Sequence, residues 1–104
     1  MPSNKSHVRL LSCAEQDLIE LVSYAAAENP QAAAKVLDRI ELRLQALASH
    51  PFAGRIPQDP KLAGLGYRVL VIDNYLVFYK VKQRVVLVHR ILHGARDLLR
   101  VLFE

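Results

Sequence analysis

The sequence predicts an α+β domain in which a helical hairpin packs on one face of a small, mainly antiparallel sheet. Three observations carry that prediction. Two consecutive segments between Ser12 and His50 repeat apolar residues at helical spacing, and Asn29-Pro30 divides them. The run from Tyr67 to Leu92 breaks twice at turn-forming residues, as three successive strands do. Between these two regions, Pro51 to Gly66 holds three of the five prolines and three of the four glycines, so it reads as a long loop.

In order, His7 to Leu11 is a short apolar segment that reads as an edge strand. Ser12-Cys13-Ala14-Glu15 has the capping-box pattern, with Ser12 accepting from the Glu15 amide and Glu15 reaching back. A first helix follows, with Leu18, Leu21, Val22 and Ala25 on one face. Its opening turn carries Glu15 and Asp17, as the helix dipole favours. Asn29-Pro30 ends it and starts another, because Asn is a good N-cap and Pro suits the first helical position. The second helix sets Ala33, Val36, Leu37, Ile40, Leu44 and Leu47 on one stripe. It stops before His50-Pro51, since the residue preceding a proline is pushed out of the α region. So tight a connection makes an antiparallel hairpin. Lys35, Arg39 and Arg43 on its outer side read as a solvated basic stripe.

The sheet follows. Tyr67–Ile72 and Tyr75–Val81 flank Asp73-Asn74, a two-residue hairpin turn suited to positive φ. Lys82-Gln83-Arg84 makes the next turn, and Val85–Leu92 is the last strand. Gly94 breaks it, and Ala95 to Phe103 reads as a short terminal helix. Residues 1–104 form a single domain, because two would leave each core too small to stand alone.

Side-chain alternation assigns the faces. A two-residue loop at 73–74 sets Ile72 against Tyr75 and Arg68 against Tyr79. With a second two-residue loop, Arg90 and Leu92 join that face, beside Leu70, Val77 and Val88. Val69, Val71, Leu76, Phe78, Leu87 and Ile91, with His89 and His93, take the other. This second face is the more apolar and is expected to receive the hairpin. The first, with Arg68, Tyr79 and Arg90 among aliphatics, is expected to await a partner segment. A one-residue change in the second loop would flip the last strand, and Arg90 with it.

Composition bounds the function. The chain is 52% apolar and 23% charged, ordinary for a globular domain. No apolar run approaches the roughly 18 residues of a membrane span, and MPSNKSHVRL lacks the apolar stretch of a signal peptide. The one cysteine, Cys13, excludes an internal disulfide and offers no zinc-type cluster. The expectation is a cytoplasmic protein with no membrane, metal or cofactor. Net charge is −1 over residues 1–52 and +5 over residues 53–104, so the basic excess belongs to the sheet. It fits a nucleic-acid substrate, an acidic protein partner or a solvated surface.

The chain resembles the toxins of the RelE/ParE superfamily, the stable members of type II toxin–antitoxin pairs. The likeness runs through Ala14-Glu15-x-Asp17-Leu18, Tyr24 with Asn29-Pro30-x-Ala32-Ala33, and Leu47-x-x-His50-Pro51-x-x-Gly54-Arg55. It continues through Gly66-Tyr67-Arg68, Asn74-Tyr75-Leu76-Val77-Phe78-Tyr79, and Arg90-Ile91-Leu92-His93-Gly94-Ala95-Arg96-Asp97. The resemblance implies a β-α-α-β-β-β fold and a cognate antitoxin as partner. It also implies one of two activities: RelE-like ribosome-dependent cleavage of mRNA, or ParE-like inhibition of DNA gyrase without a ribonuclease site.

RNA cleavage through the 2′-hydroxyl needs a base or its substitute, a cation against the phosphorane and a proton donor. Of the ribonuclease set that the resemblance implies, Arg68 and Arg96 match. Leu70 and Leu76 stand where further cations are expected, and Asp97 to Glu104 contains no tyrosine. His93 is the acid–base candidate, with a structural imidazole as its other reading. The ParE-like reading is therefore favoured. Under it, Arg96, Arg100 and the Leu98–Phe103 tail are candidate gyrase contacts. Arg55, Arg68, Tyr79, Lys80 and Arg90 are candidates for target or antitoxin binding, with Tyr79 also read as a stacking platform or a packed sheet residue.

Overall fold

A computed structural model of the chain describes residues 6–94. The elements run β1 (His7–Leu10), α1 (Ser12–Glu28), α2 (Pro30–Ala46), α3 (Pro60–Gly64), β2 (Arg68–Ile72), β3 (Tyr75–Lys82) and β4 (Val85–His93). The strands lie in the order β1-β4-β3-β2. β1 is parallel to β4 and the other pairs are antiparallel. The order expected from the sequence holds, with α3 added inside the long loop. The terminal helix expected over Ala95–Phe103 lies outside the described residues.

Local chemistry sets most boundaries. The Asn29 side chain accepts from the amides of Gln31 at 3.0 Å and Ala32 at 3.3 Å, and Pro30 opens α2. Asp59 repeats the device: its Oδ1 accepts from Lys61 at 2.8 Å and Leu62 at 3.2 Å, and Pro60 opens α3. The capping box at Ser12 does not form. The Leu11 amide donates to the Val88 carbonyl, so β1 pairing persists to Leu11, and the Leu11 carbonyl already accepts from Glu15. Ser12 is thus the first helical residue, and Leu11, which has no side-chain cap to give, precedes it. Positive φ occurs at Asp73 (53°) and Gln83 (57°), the leading residues of the two strand turns. The second turn is the two-residue pair Gln83-Arg84, since Lys82 is opposite Val85.

The hairpin covers the face opposite to the one expected. Ala14, Leu21, Ile40, Leu44 and Leu47 pack on Leu70, Ile72, Val77, Tyr79, Val86, Val88 and Ile91. Each large aliphatic buried here contributes roughly 1.5–3 kcal/mol. Three polar groups had marked this face as exposed, and each is accounted for separately. Tyr79 is buried because its hydroxyl accepts from the Gly54 amide at 2.8 Å. Arg68 sits at the sheet's end and turns to the loop, where its Nη1 donates to the carbonyls of Phe52 and Gly54. Arg90 leaves the face through a β-bulge. The register passes from Tyr79 opposite Val88 to Phe78 opposite Arg90, so His89 is the extra residue. Beyond it, Ile91 and His93 take the hairpin's side.

Candidate functional site

The hairpin leaves the other face of the sheet uncovered by any described helix. Val69 and Val71 of β2 and Leu76 and Phe78 of β3 form its apolar part. The segment from Arg55 to Leu62 rises beside them and closes a groove of about 560 Å³. Arg55 fixes that wall by exchanging two backbone hydrogen bonds with Val69, each of 2.8 Å. Gly54, next to it, lies so close under Tyr79 that a Cβ would fall 2.6 Å from the phenolic oxygen. The close approach requires glycine at that position.

Beyond the groove, three side chains converge, one from the residue before β2 and one each from β3 and β4. The Tyr67 hydroxyl lies 3.4 Å from Nδ1 of His89, with the rings edge-on at 5.1 Å between centroids. The Lys80 ammonium sits 4.5 Å over the Tyr67 ring, a cation–π arrangement. Burial lowers the His89 pKa below 6.5, and the charge of Lys80 lowers it further. The buried Nε2 of His89 has no hydrogen-bond partner among the described residues. The bulge brings His89 into this cluster. No residue type in VVLVHRILH announces a bulge, so strand alternation alone missed it.

The residues singled out from the sequence are dispersed. Arg55 lines the groove and Lys80 belongs to the cluster beyond it. Tyr79 has no exposed surface, so it offers no stacking platform, and burial raises its pKa above 10.0 against the opposing effects of the Gly54 amide and Arg68. Arg68 holds the loop and stacks on Phe52, 4.9 Å from the ring centroid. Arg90 is joined to Asp17 of α1. His93 meets Tyr75 edge-on at 5.8 Å. Arg68 is opposite Tyr79 and His93 opposite Tyr75, so they stand four residue steps of β3 apart, roughly 13 Å along the strand. Arg96 and Arg100 lie outside the described residues. Cys13 is exposed on the opening turn of α1. Among the described residues no His, Cys, Asp or Glu cluster could hold a metal ion, and no helix is long and apolar enough to cross a membrane.

Comparison with solved structures finds the same fold in two toxin–antitoxin systems. A chain of the chromosomal ParDE system from P. aeruginosa superposes with a TM-score of 0.70 at 21% identity, covering 86% of this chain and 96% of that one. A chain of the RelBE2 toxin–antitoxin complex from Mycobacterium tuberculosis gives a TM-score of 0.62 at 24% identity, covering 86% and 98%. Comparison with curated proteins by sequence gives no match. The family profile described as "ParE toxin of type II toxin-antitoxin system, parDE" matches residues 8–98, nearly the whole chain. With the hairpin, the mixed sheet and its uncovered face in place, the chain belongs to the ParE toxin family of type II toxin–antitoxin systems.

Proposed function

We propose that this toxin acts on DNA gyrase without itself cutting nucleic acid, and that a cognate antitoxin neutralises it in the cytoplasm. The observation that carries the reading is the separation of Arg68 from His93. A general acid–base pair and its phosphorane-stabilising cation must meet at one phosphate, within a few ångströms. Here Arg68 is committed to the loop carbonyls at one end of the sheet, and His93 packs on Tyr75 at the other. Leu70, where a further cation is expected, is buried under the hairpin. An antitoxin partner is supported by the ParDE and RelBE2 likenesses and by the uncovered apolar groove. Titrating the purified protein into a gyrase supercoiling reaction tests this reading. Supercoiling is expected to fall with toxin dose; gyrase left untouched at every excess rejects it.

One observation favours the ribonuclease alternative. Tyr67, Lys80 and His89 bring an imidazole with a depressed pKa beside a cation and a phenol. Under that alternative they replace the dispersed set, with His89 as base and Lys80 against the phosphorane. Mapping transcript ends in cells expressing the toxin separates the two. Cuts that vanish in His89→Gln establish the enzyme and overturn the gyrase reading.

A further inference from the structure

Away from the groove, toward the β3–β4 turn, the open sheet face becomes cationic. Val86 and Val88 are buried under the hairpin, so Leu87 between them points to the open side. Arg9 of β1 and Lys80 of β3 flank Leu87 in one row, and Lys82 lies two residues beyond Lys80 on the same side. Arg9 and Lys82 are exposed and Lys80 is half-buried. No strand contains an Asp or Glu. Among the described residues, none of these three cations has a carboxylate within ion-pair distance.

Their spacing selects the kind of anion. Two strand spacings set the backbones of Arg9 and Lys80 roughly 10 Å apart, and two residues set Lys80 and Lys82 roughly 7 Å apart. One strand of duplex DNA carries a phosphate about every 3.4 Å of axial rise. The cations are therefore placed for separate phosphates of a polyanion and not for one small anion. Single-stranded nucleic acid is held largely by stacking bases on open rings. Tyr67, the phenol of this region, has Lys80 over one face and the His89 ring against it, so it gives a splayed base little to stack on. The helical hairpin lies on the far side of the sheet, so it cannot enter a DNA groove from this face. What remains is contact with the phosphates of a duplex.

We propose that Arg9, Lys80 and Lys82 hold duplex DNA by its phosphate backbone, without reading bases, and so seat the toxin against the DNA that gyrase carries. The choice of DNA as the polyanion rests on the gyrase reading above, and the inference adds to it a contact with nucleic acid as well as with protein.

Fluorescence anisotropy of a labelled duplex of about 20 base pairs, titrated with the full chain between roughly 50 and 200 mM salt, tests it. Binding is expected to be the same for unrelated sequences. Log Kd should rise with log salt with a slope near 3, about 0.9 for each phosphate neutralised. Arg9→Gln and Lys82→Gln should each weaken binding about threefold or more at low salt and lower the slope by about one. Lys35→Gln, which removes an exposed charge from α2, should change neither. The wild-type slope does not depend on any variant folding. Wild-type toxin that inhibits gyrase yet binds no duplex at low salt overturns the DNA contact and leaves the gyrase reading standing. Equal losses in Lys35→Gln and Lys82→Gln overturn it as well, because the attraction is then diffuse. Tighter binding to a single-stranded RNA of equal length overturns the duplex in favour of RNA. Duplex binding with the expected slope and variant losses, but with supercoiling untouched, supports the DNA surface and overturns its link to gyrase.

Discussion

Asp17 and Arg90 form a two-pronged ion pair, with Nε 2.7 Å from Oδ2 and Nη2 3.0 Å from Oδ1. The same Oδ2 accepts from the Ile91 amide at 3.0 Å. That amide lies on the edge of β4 that β1 would cover if β1 ran further than Leu10. A carboxylate from α1 thus ends the exposed edge of β4 and ties the first helix to the last strand.

Removing the carboxylate is expected to cost more than removing the guanidinium. Asp17 is 12% exposed at its side chain and accepts from three N–H donors on two residues, whereas Arg90 is 45% exposed. Asp17→Ala should lower stability by about 2 kcal/mol, since charge-assisted bonds and a stranded strand amide are both lost. Arg90→Ala should cost roughly 1 kcal/mol or less, because a half-exposed pair is screened by solvent. Urea unfolding of the two variants checks the order. Equal losses would mean that the Ile91 amide bond contributes nothing.

Tyr79 and Gly54 make the second buried polar link, and it joins the core to the loop. Tyr79→Phe strands the Gly54 amide and should cost about 1–2 kcal/mol. Gly54→Ala should cost at least as much, because its Cβ meets the Tyr79 ring at 2.8 Å and the Val69 carbonyl at 2.9 Å. The raised pKa of Tyr79 adds a pH signature. Its neutral form is favoured in the folded state, so that contribution is whole below pH 10 and fades as pH rises above it, where the unfolded phenol ionises first. The stability difference between wild type and Tyr79→Phe should therefore shrink above pH 10. A difference that stays constant to high pH contradicts the buried, neutral phenol.

Much of this architecture was legible in the sequence; apart from the Ser12 capping box and the short helix α3, the error lay in the faces. Periodicity located both long helices and the meander strands, and Asn29-Pro30 marked the hairpin turn because capping is a local interaction. Asp59-Pro60 carries the same signal for α3, hidden by the brevity of the helix. The second strand turn has two residues, the length that the parity argument assumed. The parity still failed beyond Val88, because a bulge inside β4 inserted His89, and no local signal marks a bulge. The buried side failed for another reason. Tyr79 and Arg68 were read as outward because they are polar, but loop groups 14 to 25 residues away satisfy them. Satisfaction by distant backbone is a tertiary fact, and the site inherits it: Arg68 and His93 belong to one candidate catalytic set in the sequence and lie apart in space.

His89 gives the prediction most sensitive to the open face. Its pKa is lowered by burial first and by Lys80 second. The neutral imidazole is the folded form, so its contribution to stability is present above pH 6.5 and is lost as pH falls through the lowered folded value. NMR titration should place the His89 midpoint below 6.5, and Lys80→Met should move it upward by removing the repulsive charge. A midpoint unmoved by Lys80→Met would show that the ammonium does not sit against this cluster.

Arg68 supplies the last test, because its two readings differ in what they leave behind. As a structural clamp it donates to the Gly54 carbonyl at 2.9 Å and the Phe52 carbonyl at 3.3 Å while its charge lies over the Phe52 ring. Arg68→Ala should then cost about 1–2 kcal/mol and speed limited proteolysis between residues 51 and 59. Phe52→Ala removes only the ring contact and should produce a smaller increase. Phe52 is 64% exposed, so its loss opens no cavity in the core. Under the gyrase reading, Arg68→Ala toxin that is still folded retains supercoiling inhibition, since the guanidinium faces the loop and not a target. Loss of inhibition at unchanged stability and unchanged proteolysis would place Arg68 in contact with the target instead.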